Sequence, residues 1–155
     1  LGINSTGFGL IWSSMTILYA SAAFLSGNLS TKIGLMSVMR IGMLLNLLSG
    51  VMFFTSIAIF GVTLFSVITP LVIMFFAHGF IVPTSMTKAV SDRPEIAGSS
   101  SGLSSALGLV TGGLFSILSG AVYAGSFLPI SFIVMASTIM CSLSYSLIKW
   151  GEKSN

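Results

Sequence analysis

His78 is the one histidine of the chain, and it stands inside an uncharged apolar stretch together with Pro70, Gly79 and Pro83. An imidazole donates, accepts or carries a proton near neutral pH. An ionisable side chain at membrane depth marks a path for a proton or a small polar molecule by default. The plainer reading is a neutral ring bonded to a Ser, a Thr or a backbone carbonyl. Pro70 and Pro83 each remove a backbone donor from a helix, and interrupted membrane helices are favoured places for ligand and ion sites. Asn46 is a second polar side chain in an apolar stretch. Its amide predicts an interhelical hydrogen bond worth roughly 0.5–2 kcal/mol, with contact to a ligand as the alternative.

Other constellations fail as chemistry. Gly98-Ser99-Ser100-Ser101-Gly102 fits the pattern G-x-S-x-G. A nucleophilic elbow needs a preceding strand and a base to activate Ser100. No histidine follows, and the one later acid is Glu152. Small residues opening a helix are the better account, so no catalytic residue and no enzyme activity is expected. Cys141 is the single cysteine, which leaves no internal disulfide and no multi-cysteine metal site. It reads as an apolar filler. There is no phosphate-binding loop and no metal cluster, so no cofactor is expected. The six Lys and Arg are scattered singly, which is no footprint for nucleic acid.

The elements that carry these residues follow from composition. Of 155 residues, 54% are hydrophobic and 6% are charged. Soluble domains carry about 25% charged residues, so this surface must face lipid. A spanning helix needs about 20 mainly apolar residues. Five runs qualify: residues 8–26, 38–59, 64–86, 97–123 and 128–148. Their apolar residues do not alternate as barrel strands would. The fold class is therefore an all-α membrane protein of about five transmembrane helices. Breakers separate the runs: Gly27, Asn28 and Gly34, then Gly61, then Asp92, Pro94 and Gly98, then Gly125, Ser126 and Pro129.

The charges give an orientation. Lys32 and Arg40 flank the first connection, Lys88 and Arg93 the third, and Lys149 and Lys153 follow the last run. All fall on one side of a five-helix zigzag. The connections around Gly61 and Gly125 carry no charge. The positive-inside rule then predicts a cytoplasmic C-terminus and an outside N-terminus. The chain starts at Leu1 without a basic leader. An odd number of spans with an outside start fits a piece of a longer protein, whose N-terminal half would be a partner of this one.

The fourth run is rich in small residues. Gly98, Gly102 and Ala106 recur every four positions, as do Gly108, Gly112, Ser116 and Gly120. Such a stripe lets helix backbones approach closely. Trp12, Tyr123, Tyr145 and Trp150 read as interfacial anchors, and Met135 and Met140 as packing or an adaptable apolar pocket.

Two stretches carry a family resemblance. Gly27-Asn28-Leu29-Ser30-Thr31-Lys32-Ile33-Gly34, followed by Arg40, resembles the cytoplasmic loop motif G-x-L-x-D-R-x-G of the major facilitator superfamily. Gly27, Leu29, Lys32 and Gly34 match; Thr31 stands in place of the motif's Asp. His78-Gly79-Phe80-Ile81-Val82-Pro83, with Ala97-Gly98 through Ser101-Gly102-Leu103, resembles the Bcr/CflA-type drug-resistance branch. The resemblance implies that the five spans correspond to helices eight to twelve of twelve. It also implies alternating access and proton-coupled efflux of small amphipathic substrates across a bacterial inner membrane. His78, Pro83 and Thr84 would then lie near the path, and the first and fourth spans would meet the other half. An importer of sugars or metabolites in the same superfamily is the near alternative. A non-transporting membrane subunit or scaffold is the alternative from another class.

Overall fold

A computed structural model of the chain describes residues 4–92, 94–123 and 125–154, without the side chains of 148–154. Among the described residues it is all-helical: α1 (Ser5–Ile33), α2 (Leu35–Phe60), α3 (Leu64–Ser91), a 3₁₀ turn (Pro94–Ile96), α4 (Ala97–Val122) and α5 (Leu128–Ser154). Five of these helices are long and apolar enough to cross a membrane. Each predicted run lies within or matches one of them to within a residue.

The first connection is much shorter than its breakers predict. Gly27 and Asn28 do not break α1; the helix runs through them and through Leu29 and Lys32 to Ile33. The Ser30 and Thr31 hydroxyls donate to the Gly27 and Asn28 carbonyls one turn back, at 2.8 Å each. Only Gly34 interrupts the chain, with φ at 84°, a conformation that favours glycine. The quoted loop motif is thus mostly helix. Gly98 likewise lies inside α4 rather than in a connection.

The second connection, free of charge, is closed by hydroxyls. Thr63 and Ser66 cap α3 reciprocally. Ser66 Oγ also donates to the Gly61 carbonyl at 2.7 Å, and Gly61 turns with φ at 66°. One turn later Pro70 cannot donate to the Ser66 carbonyl. Ser56 of α2 takes its place, donating from Oγ at 2.8 Å. A backbone acceptor freed by a proline near the start of α3 is thereby satisfied from a neighbouring helix.

α2 and α3 form the centre. α1 packs on α3, and α5 packs on α2. These seams close at three glycines that the sequence reading did not single out as contacts. A Cβ on Gly79 would stand 2.5 Å from Ala22 Cβ and 2.6 Å from the Tyr19 carbonyl of α1. One on Gly42 would stand 2.8 Å from Phe80 Cβ of α3, and one on Gly50 would collide with Thr138 of α5. Ala22, Val38 and Phe80 fill the core between α1, α2 and α3. Met39, Met43, Ile81 and Tyr145 fill the one between α2, α3 and α5.

Tyr145 is therefore no interfacial anchor. It is buried, and its hydroxyl donates to the Met36 carbonyl at 3.2 Å, tying α5 to the start of α2. Trp12 and Tyr123 are half exposed as anchors would be. The Trp150, Lys149 and Lys153 side chains and Arg93 lie outside the described residues.

α4 differs from the rest. No residue of it is buried. Gly98, Gly102, Gly108, Gly112 and Gly120 have open space where a Cβ would stand. Among the described residues no helix presses on the glycines of the stripe read as a close helix contact.

Candidate functional site

α4 leans towards α3 and α5 without filling the space beside them, and a cavity of about 790 Å³ remains. Its walls come from four helices: Asn46 of α2, Met74 and His78 of α3, one face of α4 and one face of α5. The α4 wall is built from Leu107, Gly108, Thr111, Gly112 and Phe115, with Ser116 and Ser119. The small residues that read as a packing stripe thus partly line a cavity instead. Opposite them stand Ser137, Thr138, Cys141 and Ser144, an α5 face of similarly small side chains.

The two polar residues singled out first in the sequence meet here. His78 is half-buried, and its Nδ1 lies 2.8 Å from the Met74 carbonyl one turn earlier. A carbonyl only accepts, so Nδ1 carries the proton, and in the neutral ring Nε2 is left as an acceptor. The bond to a carbonyl is the plainer of the two readings of His78. It also fixes the ring and leaves its other nitrogen for a further partner.

Asn46 behaves otherwise than expected. Its side chain is 3% exposed, and its Oδ1 has no hydrogen-bond partner among the described residues. The predicted interhelical bond is not made at that atom. A buried amide oxygen without a donor costs about 1–3 kcal/mol, so the site holds an unmet demand for one.

Pro83 and Thr84 are not part of the cavity wall. Thr84 is buried, and its hydroxyl donates to the Phe80 carbonyl at 2.5 Å and approaches the Ile81 carbonyl at 3.1 Å. It is spent on its own helix. Cys141 is a half-buried wall residue whose thiol contacts Met43 sulfur at 3.6 Å. Met140, read as packing or pocket, is 61% exposed and on the wall. The α5 face was not foreseen as a site. Its signal was present in sequence: Ser137, Cys141 and Ser144 recur at three or four residues, with Thr138 beside Ser137, which puts them on one side of a helix.

Among the described residues no group of His, Cys, Asp and Glu could hold a metal ion. Lys32, Arg40 and Lys88 stand at the α1–α2 and α3–α4 ends of their helices, and Lys88 pairs with Asp92 at 2.9 Å.

No known protein family matches the sequence, and no characterised protein or solved structure matches it. The likeness to the major facilitator superfamily rests on the quoted motifs alone.

Proposed function

We propose that this chain is the C-terminal part of a secondary active transporter that moves small amphipathic molecules out of the cell by alternating access, with protons as the coupling ion. The observation that carries the reading is the cavity among four apolar helices, which holds the one histidine of the chain and an unsatisfied amide. A cavity of this size with a few polar groups in an apolar wall fits a small-molecule site. The basic residues at one end of the zigzag support a cytoplasmic C-terminus and an outside N-terminus by the positive-inside rule. The exposed faces of α1 and α4 suit the proposed contact with an N-terminal half. A non-transporting subunit would use the same faces, but it has no need for a cavity that holds His78 and Asn46 in an apolar wall.

The first test is the coding sequence upstream of Leu1. About seven further spans in frame, as the resemblance implies, support the reading; a start codon directly before Leu1 overturns it. With the longer chain in vesicles, substrate efflux driven by a pH gradient tests the coupling. A His78→Ala chain whose transport keeps the parent's pH dependence removes His78 from the proton path.

A further inference from the structure

The lining of the cavity restricts what fills it. No Asp, Glu, Lys or Arg stands among the lining residues. A charged guest would shed its hydration there with no opposite charge to replace it, at a cost of several kcal/mol. An uncharged guest loses far less.

Hydrogen bonding restricts it further. On α5 the Ser137, Thr138 and Ser144 hydroxyls already donate to the Val134, Met135 and Met140 carbonyls of their own helix, at 2.7, 2.8 and 3.0 Å. Their protons are spent, while their oxygen lone pairs still accept. His78 donates from Nδ1 to Met74, which leaves Nε2 of the neutral ring accepting. Asn46 Oδ1 is an acceptor with no donor. The α2, α3 and α5 walls are therefore rich in acceptors; on α4, Thr111, Ser116 and Ser119 add hydroxyls that can donate or accept, and Met74, Ile133, Val134 and Phe115 are apolar.

We propose that the cavity takes an uncharged, largely apolar molecule bearing an O–H or N–H donor, seated by that donor on Asn46, whose closed-off amide oxygen turns to meet it, with His78 Nε2 as a second acceptor on the wall. This rests on the transport reading only in treating the cavity as a binding site. The donor removes the cost of the orphaned amide oxygen, so donor-bearing guests are selected over equally apolar ones that lack it. Anions are disfavoured because no Lys or Arg of the lining replaces the hydration they lose.

The test is equilibrium dialysis with the chain in lipid nanodiscs, against empty discs of the same lipid. The probes are 2-naphthol, 2-methoxynaphthalene and 2-naphthoate. The first two differ mainly in the donor, and the third is an anion. Saturable binding of 2-naphthol about tenfold tighter than of 2-methoxynaphthalene is expected, since one hydrogen bond to an unsatisfied buried group is worth about a factor of ten. No saturable binding of 2-naphthoate is expected. Asn46→Leu should bring the first two probes together, and His78→Phe should narrow their difference. Equal binding of the two neutral probes to the unmodified chain overturns donor recognition while leaving the cavity a binding site. Tighter binding of 2-naphthoate overturns the selection against charge. A preference that survives Asn46→Leu shows that Asn46 is not the seat. No saturable binding of any probe overturns this inference and removes the main support of the transport reading as well. The comparison within the unmodified chain decides the matter even where a variant does not fold. The upstream sequence and efflux test the transport reading separately.

Discussion

The glycines of two regions of the chain do opposite things. In α2 and α3, Gly42, Gly50 and Gly79 are buried where helices press together, and any side chain there would meet a neighbour. In α4, Gly98, Gly102, Gly108, Gly112, Gly113 and Gly120 have open space where a Cβ would stand. Glycine content does not mark the contacts, since α2 and α3 together hold three glycines and α4 holds six. A glycine permits close approach, but whether a helix comes depends on the rest of its face. Gly79 sits in a turn with Ala77 and Phe80, which complete a surface complementary to α1 and α2. The α4 glycines have Leu107, Leu109, Leu114 and Ile117 around them, all more than half exposed.

The comparison can be broken most directly at its strongest point. Gly79→Ala should destabilise the bundle by about 1–3 kcal/mol, the usual cost of overpacking. The atoms in its way include α1 backbone, which cannot swing aside. Gly112→Ala meets nothing and should instead stabilise by up to about 1 kcal/mol through helix propensity in the same measurement, unfolding in mixed detergent micelles. Equal losses at the two sites would mean that α4 is packed as tightly as α3.

Gly50→Ala is a softer case, because its obstacle is the Thr138 side chain. It should cost less than Gly79→Ala, about 1–2 kcal/mol, and Thr138→Ala should recover part of the loss. Additive effects in the double mutant would show that α2 and α5 do not meet there.

Ser56→Ala removes the donor that serves the Ser66 carbonyl. The expected loss is about 0.6–1.5 kcal/mol. In a Pro70→Ala chain the backbone N–H at position 70 can serve that carbonyl, so Ser56→Ala should then cost close to nothing.

The smallest effect belongs to the helix end. Asp92→Asn breaks an exposed i,i+4 pair with Lys88 and should cost a few tenths of a kcal/mol, less at high salt. A larger loss would place this end in a less watery setting than its exposure indicates.

The sequence alone determined the number of helices, because a run of about 20 apolar residues has one stable form in a bilayer. It determined the turns at Gly34 and Gly61 through residues that tolerate positive φ, and it marked His78 and Asn46 as the polar residues out of place. It overstated the first connection. Gly27 and Asn28 have weak helix propensity, yet hydroxyls and a long helix carried the chain through them. Only the tertiary structure decided which glycines are contacts. It also placed Tyr145 in the core and Thr84 on its own backbone, and it brought His78 and Asn46 to one cavity. Periodicity says which residues share a face. It does not say which face finds a partner, because that depends on the matching of two surfaces far apart in the chain.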